Sequence, residues 1–142
     1  MTVQADPRRP TVGDVMAVAE FRAALRRFLR ETERIARQSG LTPQRYMLLL
    51  MIKGSPSGLE QSTVTELSKR LQLAQSTVTE LVSRAEEAGL IEREQSRRDA
   101  RVAHLRLTAD GERRLMQSFT ELAKERKQLA AAVAHLEAGP TG

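Results

Sequence analysis

Residues 61–108 read QSTVTELSKRLQLAQSTVTELVSRAEEAGLIEREQSRRDARVAHLRLT, and the opening seven letters recur fourteen residues on, at Gln75–Leu81. Each copy places Thr three residues before Glu, as Thr63 with Glu66 and Thr77 with Glu80. In that spacing a threonine oxygen accepts an orphan backbone N–H at a helix start while the carboxylate reaches back to the cap. Two short helices are therefore expected, joined by a tight connection. Val64, Leu67 and Leu71 are the apolar positions of the first. In the second, Val78, Leu81, Val82 and Ala85 fall at i, i+3, i+4 and i+7, one stripe facing a core. Ser76, Thr79, Glu80 and Ser83 lie on the other side. A helix that turns short hydroxyls to water over a close-packed apolar back is one that a DNA major groove admits. Ser and Thr are equally ordinary at helix starts and on surfaces, so the helix pair alone leaves both readings open.

The residues that follow narrow the choice. Gly89 stands where a helix ends in the left-handed conformation, with Leu90 placed to fold back on the last turn. Ile91–Gln95 and Arg101–Leu107 then alternate. Ala103, Leu105 and Leu107 point one way and Val102, His104 and Arg106 the other, as in a half-buried hairpin. The loop between them, Ser96-Arg97-Arg98-Asp99-Ala100, lacks the Asn-Gly or Asp-Gly of a two-residue turn. It projects as a wing with Arg97, Arg98 and Arg101 near its tip. The expected fold class is mainly α with a small β-hairpin wing: a winged helix-turn-helix.

With LTPQRYMLLL at 41–50, AGLIER at 88–93, and Asp99, Arg101, Leu107, Thr108 and Gly111 downstream, the chain resembles the MarR family of bacterial transcription regulators over about residues 15–125. The resemblance implies that the second helix enters the major groove and that a wing arginine enters the minor groove. By position the recognition helix would present Gln75, Ser76, Thr77, Thr79, Glu80 and Ser83. The wing would present Arg97, Arg98 and Arg101, with Asp99 bracing it. Two positions depart from the family pattern: Glu80 is often basic there, and Ala100 commonly an arginine. The resemblance further implies a homodimer on two half-sites of a pseudo-palindromic operator, most often as a repressor. It also implies a small aromatic or anionic effector bound between dimer helices and DNA module. Phe21, Phe28, Tyr46, Met47 and Met51 are the residues that would line such a pocket, and all five are also plain core candidates.

Composition bounds these readings. The chain has 142 residues, 40% hydrophobic and 29% charged, and is expected to form one compact domain. No apolar run spans a bilayer, and MTVQADPRRP lacks the apolar segment of a secretory signal, so a cytoplasmic location is expected. The sequence contains no Cys, which excludes disulfides, thiolate zinc sites and cysteine-based redox sensing. A net charge of +5 suits nucleic acid, but residues 61–108 carry eight basic and seven acidic side chains, a net of only +1. The placement of arginine at the wing therefore says more than the total, because clustered charge acts on phosphate within a Debye length of roughly 8–10 Å.

On either side of the winged region lie long helices. Residues 1–10 are expected to be disordered, and Thr11 with Asp14 caps a first helix ending at Gly40. Val18, Phe21, Leu25, Phe28, Thr32 and Ile35 form a heptad-like seam along it, and its outer face carries six arginines from Arg22 to Arg37. Thr42 caps a second helix with Pro43 at its first position, and Tyr46–Ile52 is apolar nearly all round, so this helix is central. Residues 11–53 thus form one dimerisation helix and one buried helix, 54–107 the winged region, and GSPSGLEQS at 54–62 its entry loop. Thr108 opens a last helix, 108–138, with Asp110 and Glu112 complementing its dipole. Leu115, Phe119, Leu122, Arg126, Leu129, Val133 and Leu136 step along it by 4 and 3. At about 28 residues it would extend about 40 Å, more than a domain of this size covers, and is expected to pack on a second copy. Residues 139–142 are a frayed tail.

An enzyme needs a constellation of groups, and none is present. His104 and His135 have no metal-pair spacing, no activated nucleophile stands near either, and no glycine-rich phosphate loop occurs. No cofactor is expected. The alternative function is a winged-helix module for protein interaction or structural dimerisation, which would have no use for three arginines on a hairpin tip.

Overall fold

The structure, a computed structural model, describes residues 9–138. The expectations for residues 1–8 and 139–142 lie outside the described residues; Arg9 and Pro10 are exposed. The elements run α1 (Val12–Gln38), α2 (Pro43–Lys53), β1 (Gln61–Ser62), α3 (Val64–Leu71), α4 (Gln75–Glu87), β2 (Ile91–Gln95), β3 (Ala103–Leu107), α5 (Ala109–Glu121) and α6 (Ala123–Ala138). A mostly helical chain with one small antiparallel sheet, in the order β1-β3-β2, is the winged helix expected from the sequence.

In place of one compact domain, the described chain forms two compact units. One comprises Glu33–Glu121; the other comprises the described residues up to Thr32 and from Leu122. The expected single C-terminal helix is correspondingly two, interrupted at Leu122 between α5 and α6.

The larger unit is built around α2. Its YMLLLMI run is apolar, and α3, α4, α5, β1 and β3 all pack on it, leaving Met47 exposed. Leu48, Leu49 and Ile52 of α2 meet a core that includes Leu67, Val78, Val82, Ala85, Leu105 and Leu115, all fully buried or within 1% of it. Each such Leu, Ile or Val side chain stabilises the unit by about 1.5–3 kcal/mol through burial. The helix starts as its sequence dictates: Thr42 Oγ1 accepts from Arg45 N at 3.1 Å, with Pro43 following. Its last residue, Lys53, fastens two later segments, with Nζ 3.0 Å from Glu60 Oε1 and 2.6 Å from Glu112 Oε1. Those two carboxylates, that of Glu112 most of all, hold the Lys53 pKa above the ordinary lysine value.

The wing is rooted on α5 by a close approach. Gly111 sits so near the Leu90 carbonyl that a Cβ would lie 2.1 Å from its oxygen. Thr108 completes the joint: its Oγ1 donates to Gly89 O at 2.6 Å and accepts from Gly111 N at 3.1 Å, while Thr108 N donates to Leu90 O at 3.0 Å. Downstream, Ser118 Oγ donates to Ser39 Oγ at 2.8 Å in a fully buried contact, which satisfies two hydroxyls that burial would otherwise penalise.

In the smaller unit, Thr11 and Asp14 cap α1 reciprocally, Thr11 N donating to Asp14 Oδ2 (2.7 Å) and Asp14 N to Thr11 Oγ1 (3.1 Å). Ala24, Thr32, Leu122 and Ala132 are its buried residues. Val12, Val15, Met16, Val18 and Leu29 are exposed along α1, each by more than half.

Candidate nucleic-acid interface

The two copies of QSTVTEL adopt different phases. In the first, Gln61 and Ser62 are strand β1, paired with Arg106 and Leu105 of β3. Thr63 is then the cap of α3, its Oγ1 accepting from Glu66 N at 3.2 Å. In the second, Gln75 is already helical and Ala74 is the cap position, without a side-chain cap bond. The capping box expected of Thr77 and Glu80 is therefore absent. The difference follows from what precedes each copy. β3 holds the first in extended form, whereas the second leaves the turn Gln72-Leu73-Ala74, where Gln72 takes the left-handed conformation at φ 55°. Ser68 Oγ braces that turn by donating to Leu73 O at 2.6 Å.

This phase fixes which side chains α4 presents. Val78, Val82 and Ala85 are fully buried, and Leu81 is half-buried. Ser76, Thr77, Thr79 and Glu80 are exposed, Ser83 is half-buried, and Gln75 spends its amide on Thr65 Oγ1 at 3.4 Å, tying the start of α4 to α3. Freed from a capping role, Glu80 accepts from Arg84 Nη2 at 2.7 Å one turn on. Arg84 is a member of this surface that the sequence reading passed over, although a Glu followed by Arg at i+4 signals such a pair.

At the other end of α4, Gly89 at φ 76° closes the helix, with Gly89 N donating to Glu86 O at 2.9 Å and Leu90 N to Ala85 O at 3.0 Å. These are the paired bonds of a Schellman end. Arg93 Nε donates to Glu86 Oε1 at 2.5 Å, so α4 and the first wing strand are held together by an ion pair as well as by the chain.

The hairpin register pairs Ile91 with Leu107, Arg93 with Leu105 and Gln95 with Ala103, and the second strand begins at Ala103, two residues later than its sequence pattern suggests. Arg101 and Val102 belong instead to the folded loop. Ser96 Oγ accepts from Arg98 N (3.2 Å) and Asp99 N (3.4 Å). Asp99 Oδ1 accepts from Arg101 N at 3.0 Å and from Arg101 Nε at 3.3 Å. The aspartate thus shapes the loop backbone and steadies a guanidinium whose side chain is 92% exposed. On the outer face of the sheet, Arg97, Arg98, His104, Arg106 and Gln61 surround a polar recess of about 350 Å3, with Glu94 among them. Alternation along β3 pointed to His104 and Arg106; their company with Gln61 depends on β1.

The five effector candidates fall in both units. Tyr46 is buried on α2, Met51 is half-buried, and Met47 is exposed, lining an apolar recess of about 330 Å3 with Leu71, Leu73 and Leu81. Phe21 and Phe28 are half-buried in the smaller unit, Phe28 lining an open apolar recess with Leu129, Ala130, Val133 and Ala134. Among the described residues no group of three or more His, Asp or Glu side chains is placed to hold a metal ion, and no helix is long and apolar enough to cross a membrane.

Comparison with known proteins shows what this geometry resembles. Residues 39–102 match the family model MarR_2, the MarR family. No curated protein matches the chain. Among solved structures, the chain is similar to the transcriptional regulator Tm0710 from Thermotoga maritima, at 27% identity over 78% of this chain and 75% of that one, with TM-score 0.62. It is also similar to the M. tuberculosis transcriptional regulator MOSR, solved in complex with DNA, at 26% identity over 78% and 77% of the two chains, with TM-score 0.59. NadR, solved with 4-hydroxyphenylacetate, shares the fold at 19% identity, 94% and 86% coverage and TM-score 0.66. Residues 39–102, from the end of α1 through β2 and the wing loop, thus match the MarR family of transcription regulators, and the fold is similar to that of solved transcriptional regulators.

Proposed function

We propose that this chain is a sequence-specific DNA-binding transcriptional regulator that grips a pseudo-palindromic operator as a homodimer and acts as a repressor. One observation carries the reading: α4 shows Ser76, Thr79 and Glu80 to solvent over a fully buried Val78/Val82/Ala85 back, beside a wing whose Arg101 is almost wholly exposed. Short polar groups on a rigid helix suit base edges, and an extended guanidinium on a narrow hairpin suits the negative potential of a minor groove. The DNA-bound state of MOSR supports the same use of the fold.

Dimerisation is assigned to the smaller unit. Its support is the apolar surface left along α1 at Val12, Val15, Met16, Val18 and Leu29, and the open recess of about 590 Å3 around Phe28, Leu129 and Val133. The reading includes release by a small aromatic or anionic effector, for which the 4-hydroxyphenylacetate held by NadR is the supporting precedent. The reading assigns the chain no catalysis and no cofactor, and places it in the cytoplasm with DNA.

The test is selection of duplexes from a random pool by the purified full chain, followed by titration of the enriched sequence. The reading expects an inverted repeat, bound with an affinity whose logarithm falls with log salt at roughly −0.9 per phosphate neutralised. A pool that stays random, with no salt-dependent binding, would leave the interaction-module alternative in its place.

A further inference from the structure

On a helical wheel the centre line of the exposed side of α4 runs through Ser76, Glu80, Ser83 and Glu87. A helix meant for phosphate would carry cations there. The nearest, Arg84, is already engaged by Glu80 at 2.7 Å, with the two side chains 65% and 64% exposed. Exposed i, i+4 pairs contribute little to stability, so the position of this one matters more than its energy.

A carboxylate only accepts hydrogen bonds, and a guanidinium only donates. In a major groove, guanine N7 and O6 and thymine O4 would oppose the carboxylate, whereas cytosine offers it the N4 amino group. Adenine offers N6 but sets the N7 acceptor beside it. A C·G pair presents the cytosine amino donor next to the guanine O6 acceptor, separated by the base pair's own hydrogen bond of roughly 2.9 Å. Glu80 and Arg84 present the mirror image, an acceptor and a donor 2.7 Å apart.

Resting on the proposed DNA-binding function, we infer that Glu80 and Arg84 form one reading unit for a C·G pair in each half-site. Glu80 Oε2 accepts the one N–H of cytosine N4 that base pairing leaves free, Oε1 stays on Arg84, and the remaining N–H groups of Arg84 donate to guanine O6 and N7 of the same pair. Because the couple is neutral overall, it brings the carboxylate among phosphates without net repulsion. This accounts for an acid at the centre of the surface that would meet DNA. It also divides the work, the wing supplying charge and this helix supplying discrimination.

The experiment is duplex selection from a random pool by the full-length parent, Glu80→Gln and Arg84→Ala, with circular dichroism confirming the parental fold of each. Both side chains are exposed, so neither change touches the core. The parent should enrich an inverted repeat with one invariant C·G pair in each half. Glu80→Gln, whose amide both donates and accepts, should move that position to adenine and lower affinity for the parental operator by roughly 5- to 150-fold per half-site. Arg84→Ala should lose affinity for the operator and for a scrambled duplex alike, since it leaves Glu80 uncompensated. A parent that enriches an inverted repeat while Glu80→Gln enriches the same bases overturns this inference and leaves the proposed function standing. An Arg84→Ala variant that keeps the parental operator affinity overturns the pairing. A parent that enriches nothing removes both.

Discussion

Gly111→Ala is a substitution for which helix propensity and packing give opposite signs. Alanine in place of glycine in a helix is worth up to about 1 kcal/mol in favour of the folded state. At this position, however, the new Cβ would lie 2.1 Å from Leu90 O and 3.0 Å from Leu90 C, where distances under 3.0 Å are essentially never seen. The obstacle is backbone, so α5 and the root of β2 must separate by nearly 1 Å. Overpacking of that kind costs about 1–3 kcal/mol. The separation also strains the bonds Thr108 N to Leu90 O (3.0 Å) and Thr108 Oγ1 to Gly89 O (2.6 Å), each worth about 1 kcal/mol. The net expectation is destabilisation by about 2 kcal/mol, or a melting temperature roughly 10 °C lower for a unit of this size. Scanning calorimetry with urea titration measures it. A variant as stable as the parent, or more so, would refute the argument and mean that the joint between wing and α5 yields freely.

The twin heptapeptides offer a second test: Thr63→Ala should lose about 1 kcal/mol with the α3 cap, whereas Thr77→Ala should leave the urea midpoint nearly unchanged. For Lys53, the folded pKa lies above the unfolded one, so its contribution is fully present below the ordinary value of 10.5 and fades as pH rises through the folded pKa. Parent and Lys53→Met should therefore differ in stability at neutral pH and converge as pH rises through the raised folded pKa, and a difference that stays constant through that rise in pH-dependent denaturation would contradict the Glu60–Lys53–Glu112 clasp. For the dimer, Val133→Asp should give monomers in sedimentation velocity while preserving the helical circular dichroism spectrum. A stable dimer would move the interface away from α6.

The winged helix was legible because its parts are set by short-range periods: the 3.6-residue stripe at Val78, Val82 and Ala85, the alternation at Ala103, Leu105 and Leu107, and the stop at Gly89. What escaped the sequence depends on distant partners. Nothing in GSPSGLEQS announces β1, a strand of two residues that exists because Gln61 and Ser62 meet Arg106 and Leu105. That same pairing sets the phase of α3, so the threonine cap written identically in both copies forms only in one, at Thr63, where Glu66 accepts from Ser62 Oγ. The interruption at Leu122 has no proline or glycine near it to mark it in the sequence. Within the site, the exposed positions of α4 follow from spacing, and the bond between Asp99 and Arg101 was implied by the family resemblance. The destination of the Glu80 carboxylate follows from neither, since Thr77 and Arg84 were both within reach in the sequence and only the helix start chooses between them.

The central claim, that the wing anchors and α4 reads, is tested most directly by binding isotherms on the selected operator and a scrambled duplex, at two salt concentrations, for the parent, Arg101→Ala and Thr79→Ala. Arg101→Ala should weaken binding to both duplexes and reduce the salt slope by about one per subunit. Thr79→Ala should leave the scrambled duplex nearly untouched and lose about 1–3 kcal/mol of discrimination at one base pair in each half-site. If Arg101→Ala binds both duplexes as the parent does, with an unchanged salt slope, the wing is not the anchor and the account fails at its centre.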